Sequence, residues 1–143
     1  MVNLSSGNAG YSGTPLVKKL GYQAGQRVCV VHAPDAYWET LGELPEGIVR
    51  AAEGEGELDL VHLFVRSRQE CENWIPIYRE RIRPSGMIWV SWPKKASKVP
   101  TDVTEDAIRS FALEQRLVDV KVCAVDTVWS GLKLVIPVAL RGK

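Results

Sequence analysis

Surplus charge, long apolar runs and clustered metal ligands are all scarce in this sequence. Lysine and arginine number 18 against 17 acidic residues, a net charge of +1. Such a balance gives no reason to expect nucleic acid or an anionic membrane surface as the main partner. No apolar stretch approaches the roughly 20 residues that a membrane-spanning helix needs. The opening residues, Met1 to Gly7, have neither a basic nor an apolar region of the signal-peptide kind, so none is expected. Cysteine is limited to Cys29, Cys71 and Cys123, widely spaced and without a C-x-x-C pair. That usage points to a reducing, cytoplasmic compartment. The two histidines, His32 and His62, stand far apart with no cysteine partners, so no metal is expected. A G-x-S-x-G nucleophile elbow is also missing, which leaves Ser130 before Gly131 best explained by a tight hairpin turn.

What remains is ordinary globular usage. With 143 residues, 45% hydrophobic and 24% charged, the chain suits one domain with a real core. Residues 1–13 are rich in Ser, Gly and Asn and are expected as a flexible arm; residues 14–143 form the domain. Thr14-Pro15 opens a short helix that Gly21 stops. Arg27 to His32 and Asp59 to Val65 are apolar runs that do not alternate, the mark of strands covered on both faces. Cys29 and Cys123 lie inside β-branched runs, where a thiol acts as a small core hydrophobe. A short helix is expected over Ala36–Leu41, a weak strand over Gly47–Ala51, and a solvated acidic loop over Glu53–Glu57. Ser67 caps a helix from Arg68 to about Ile82, interrupted by Pro76. Arg83–Gly86 reads as a turn and Met87–Trp92 as a strand. Thr104 caps a helix from Glu105 to Gln115. Val118–Val125 and Leu132–Ile136 then form an antiparallel hairpin. Strands alternating with helices of 10–15 residues predict a three-layer α/β sandwich with right-handed crossovers.

Open α/β sheets bind ligands beyond the carboxyl ends of their parallel strands. Those ends carry His32 and Asp35, then Arg66, then Ser91, Trp92, Lys94 and Lys95. Asp126, Trp129 and Ser130 follow the first hairpin strand, and their end of the sheet depends on the antiparallel geometry. His32 and Asp35 have the residue types of an acid–base pair, or they simply end a strand and begin a helix. His62, mid-strand, is expected as a hydrogen-bonded structural histidine. Trp92 beside Lys94 and Lys95 is either an aromatic plate with cationic donors for a planar anion, or a core residue next to a solvated loop. Trp74 and Trp89 fit a core; Trp38, Trp92 and Trp129 fall near loops and suit a pocket or a partner surface.

Two resemblances add to this reading. Leu58-Asp59-Leu60-Val61, Ile82-Arg83-Pro84-Ser85-Gly86-Met87-Ile88 and the final hairpin resemble the later half of Rossmann-like class I methyltransferases, over about residues 58–138. Tyr11-Ser12-Gly13-Thr14-Pro15-Leu16, Lys18-Lys19-Leu20-Gly21, Val90-Ser91-Trp92-Pro93-Lys94-Lys95, Val118-Asp119-Val120-Lys121-Val122 and Trp129-Ser130-Gly131-Leu132-Lys133 resemble a small bacterial family of unknown function (DUF 3052). The first resemblance implies S-adenosylmethionine as cofactor, held by a glycine-rich turn after the first strand and an acidic ribose-binding residue after the second. Here that turn is His32-Ala33-Pro34-Asp35-Ala36-Tyr37, without glycine and with a proline that removes an amide. The acidic residue would be Glu53 or Glu55. S-adenosylmethionine in the standard pose is therefore disfavoured.

The expected fold is a single Rossmann-like α/β domain with strand order 2-1-3-4-6-5 and a C-terminal antiparallel hairpin. Three functions stay open. The first is a non-catalytic or weakly catalytic module binding a small anionic ligand or a protein partner, a homodimer included. The second is a methyltransferase-like transferase with an altered cofactor loop. The third is a pure protein-interaction module using Tyr11–Gly21.

Overall fold

A computed structural model describes residues 14–51 and 56–142. The arm expected over residues 1–13 and the two ribose-partner candidates, Glu53 and Glu55, lie outside the described residues. Helix α1 spans Leu16–Lys19, with Pro15 rather than Thr14 at its N-cap. Gly21, at φ +91°, turns the chain back through its N–H bond to the Lys18 carbonyl. Then follow β1 (Arg27–Val31), α2 (Tyr37–Leu41), β2 (Val49–Arg50), β3 (Leu58–Phe64) and α3 (Arg68–Arg79). Next come β4 (Ile82–Pro93), α4 (Glu105–Glu114), β5 (Val118–Ala124) and β6 (Trp129–Val135).

The six strands form one sheet in the order β2-β1-β3-β4-β6-β5. β2, β1, β3 and β4 pair in parallel, and β6 is antiparallel to both β4 and β5. This is the expected α/β architecture and strand order. One face buries Leu63, Val90, Trp92 and Leu134 against Ile75 and Tyr78 of α3 and Ile108 of α4. The other buries Phe64, Trp89 and Trp129 against Leu20 and against Tyr37 and Leu41 of α2. Both faces are covered, as the non-alternating strands required.

Three boundaries differ from the sequence expectation. α3 ends at Arg79 instead of running to Ile82, which is the first residue of β4. An apolar residue fits a helix stripe and a buried strand equally well, so periodicity does not separate them. The turn expected at Arg83–Gly86 lies inside β4 as an irregularity: Leu58 pairs with Ile82, but Leu60 pairs with Met87. Gly86 permits this, because a Cβ there would stand 3.1 Å from the carbonyl oxygens of Arg83 and Asp59. Finally, β6 starts at Trp129, so Ser130 and Gly131 are strand residues and not the hairpin turn. Cys29, Cys71 and Cys123 are all buried, and no disulfide joins them. Burial pushes the Cys71 thiol up to about 12, and that of Cys123 in the same direction, so both are inert core thiols.

Candidate functional site

The register brings every predicted strand end to one edge of the sheet. Val31 of β1 lies beside Leu63, Phe64 beside Ser91, Pro93 beside Trp129, and Ser130 beside Ala124. β5 therefore finishes, and β6 begins, on the same rim where β1, β3 and β4 finish. His32, Arg66, Lys94 and Asp126 follow directly from these positions.

His32 is exposed and takes φ +58°, a left-handed conformation that non-glycine residues rarely adopt. Its ring stands edge-on to Trp74 at 4.7 Å, and Nδ1 lies 4.0 Å from a Glu70 carboxylate oxygen. The acid beside His32 is thus Glu70, whereas Asp35 is exposed at the start of the α2 turn. Glu70 is fixed by helix capping. Its Oε1 accepts from the Arg66 and Ser67 N–H groups while the Ser67 hydroxyl accepts from the Glu70 N–H. The Ser67-x-x-Glu70 pattern signals this cap in the sequence; that Glu70 also reaches His32 depends on the packing of α3 beside β1.

Arg66 is exposed, its guanidinium 5.1 Å from the centre of the Trp129 ring. Trp129 itself is 3% exposed and edge-on to Phe64, so it offers Arg66 only a small face. Lys94 follows β4, with its N–H donating to the Val128 carbonyl, and Lys95 opens a short 3-10 turn, Lys95–Ser97. Asp126 holds the hairpin turn: its Oδ1 accepts from the N–H groups of Val128 at 2.8 Å and Trp129 at 2.7 Å. Trp92 is 8% exposed and packs in the α3/α4 core, so its ring is a core residue and no open plate stands beside the lysines. Ser130 is half-buried within β6.

Ser91 lies inside the sheet. Its Oγ is 2.7 Å from His62 Nε2, His62 Nδ1 is 2.9 Å from the Tyr37 hydroxyl, and that hydroxyl is 2.6 Å from the Tyr22 hydroxyl. His62 and Ser91 have no exposed surface, and Phe64 stacks on the imidazole at 4.3 Å. Burial holds the imidazole far below its ordinary range, at about 3, and raises the phenol of Tyr22 to about 12. Tyr37 is raised further, by burial and by Tyr22. This buried chain of four groups ties α2 to the sheet immediately beneath the rim. His62 is the hydrogen-bonded structural histidine expected.

The turn after β1 is closed by its own residues. Pro34 has no amide, and the Tyr37 N–H donates to the Pro34 carbonyl at 3.0 Å. His32 supplies the left-handed residue that glycine supplies elsewhere, with a side chain attached. Among the described residues no group of three His, Cys, Asp or Glu is placed to hold a metal, and no helix is long and apolar enough to cross a membrane.

Solved structures share this fold. A SAM-dependent methyltransferase from Aquifex aeolicus superimposes with a TM-score of 0.59 at 12% identity, covering 85% of this chain and 87% of that one. Magnesium protoporphyrin IX methyltransferase from Synechocystis PCC 6803 with bound SAH gives 0.53 at 12%, covering 78% and 74%. A ribosomal protein L11 methylase from Lactobacillus delbrueckii subsp. bulgaricus gives 0.55 at 13%, covering 83% and 73%. No family model matches the chain, and no curated protein matches it. The fold is therefore that of the Rossmann-like class I methyltransferases. The likeness to the small bacterial family is not supported by any family model.

Proposed function

We propose that this protein is a methyltransferase-fold binding module whose carboxyl-end rim receives a small anionic ligand in the cytoplasm, without using S-adenosylmethionine in the pose of its structural neighbours. The observation that carries this reading is the first turn. His32 stands at φ +58°, Pro34 has no amide, and Tyr37 is anchored to His62 with its N–H already bonded to the Pro34 carbonyl, so the turn has neither glycine nor a full set of open amides for a cofactor. These residues do not match the glycine turn that the fold's usual cofactor requires. On the same rim stand the exposed Arg66 and Lys95, the half-buried Lys94 and the exposed His32. The carboxylates of Asp126 and Glu70 accept backbone amides on the same rim and offset part of this positive charge. Charge-assisted bonds to a phosphate or carboxylate are worth about 1.5–3 kcal/mol each when shielded from water.

A second reading, a transferase with an altered cofactor turn, is supported by the SAH-bound structural neighbour. Calorimetric titration with S-adenosylmethionine separates the two. A dissociation constant above about 10 μM, or binding weaker than about −7 kcal/mol, is expected; a tighter one promotes the transferase. A third reading, docking of another protein through Tyr11–Gly21, predicts that no small anion binds the rim at all.

A further inference from the structure

The opposite end of the sheet carries an independent feature. Lys133 of β6 and Lys121 of β5 stand directly opposite each other in the antiparallel ladder. Like charges in that relationship are destabilising. Lys121 is exposed and its Nζ donates to the Lys19 carbonyl at the end of α1, at 3.1 Å. Lys133 is half-buried, and among the described residues neither an ion pair nor a hydrogen bond reaches its amine.

Lys133 lines an open groove of about 470 Å³ between the chain turn at 21–26 and the sheet, together with Gly21, Gln23, Asp59, Ser85 and Met87. That volume falls within the usual range of small-ligand sites, roughly 300–1,000 Å³. The one acid lining the groove, Asp59, is already engaged: one oxygen accepts from the Arg27 N–H at 2.8 Å and the other pairs with Arg83 at 3.0 Å. The Gln26 side chain is engaged too, accepting from the Gln23 N–H and donating to the Gly21 carbonyl. The groove thus holds one unanswered cation with a second close behind it.

We propose that this groove is a second binding site, for a small organic oxyanion whose phosphate or carboxylate is received by Lys133 with Lys121 behind it. An anion there removes the like-charge repulsion and gives the Lys133 ammonium the partner it lacks. Burial and the Lys121 charge hold the Lys133 amine below its ordinary range, so a bound anion moves it upward again. A lysine that costs stability in the empty protein is what a ligand site, and not a structural contact, explains.

The test uses the full chain, with ribose 5-phosphate and citrate as probes and uncharged ribose as control. NMR of the Lys133 side chain should show its pKa rising as either anion saturates, with the two arms distinguishing phosphate from carboxylate. Followed on the Gly21 and Ser85 amide resonances of the groove, Lys133→Met should weaken that binding about ten-fold or more, while Lys133→Arg retains it and the Lys94→Ala/Lys95→Ala variant leaves it unchanged. Without ligand, Lys133→Met should melt at or above the wild-type temperature. The proposal is overturned if ribose binds as the anions do, if neither anion moves the Lys133 resonances at millimolar concentration, or if Lys133→Met binds like wild type.

Discussion

His62 Nε2 and Ser91 Oγ lie 2.7 Å apart in the centre of the sheet, on neighbouring strands and wholly shielded from water. His62→Leu would leave the Ser91 hydroxyl without this partner while the Tyr37 hydroxyl keeps Tyr22, and an unsatisfied buried group costs about 1–3 kcal/mol. Denaturant unfolding of that variant should show a loss of about 1–3 kcal/mol, on the same reasoning. Ser91→Ala should lose less, because only one bond is removed.

The same pair makes stability depend on pH. The imidazole titrates at about 3 in the folded protein and at 6.5 when unfolded. Between those values the unfolded chain binds the extra proton, so stability is full above pH 6.5 and falls as pH drops. At pH 5 the deficit should be about 2 kcal/mol relative to neutral pH, from about 1.36 kcal/mol per pH step. His62→Leu should flatten that part of the profile; an unchanged slope would mean that His62 is not the group responsible. At the alkaline end, Tyr22 keeps its proton to about 12 when folded and to 10.0 when unfolded. Stability should therefore fall as pH rises through that interval.

Trp92 and the lysines that follow it should separate cleanly. Trp92→Ala empties a core position, and such truncations cost about 3–5 kcal/mol. Lys94→Ala with Lys95→Ala removes only rim charges and should leave the unliganded melting temperature nearly unchanged, since surface lysines seldom support a fold. Thermal melts of the two variants, with and without pyrophosphate, check both statements. The lysine variant should show a reduced ligand-induced shift.

Asp126 acts through the hairpin. Asp126→Ala removes the acceptor for two backbone amides and should cost about 1–3 kcal/mol. Asp126→Asn still offers an oxygen and should retain most of the stability. Equal losses in the two variants would mean that the negative charge, and not the turn bonds, is what matters.

The apolar runs at Val28–Val31, Leu60–Val65 and Ile88–Val90 made these strands and their two covered faces legible in the sequence. The rim was legible for the same reason, since strand direction alone sets which loops share an edge. Helix and strand limits were less so where apolar residues continue past a boundary, as at Ile82. Contacts across long separations were not legible: Tyr37, His62 and Ser91 meet only because α2 folds over β3 and β4. Glu70 beside His32 is of the same kind. Trp92 sits at a strand end, where the residue type suits a core and a surface equally; the packing of α3 and α4 over that face places it inside.

The rim itself is tested most directly by following backbone amide resonances during a pyrophosphate titration of the wild-type protein. The account predicts that His32, Arg66, Lys94 and Lys95 move together along one saturating curve, and that Arg66→Ala weakens that curve. Resonances of these four residues that stay still, while the protein binds the anion elsewhere or not at all, would contradict it.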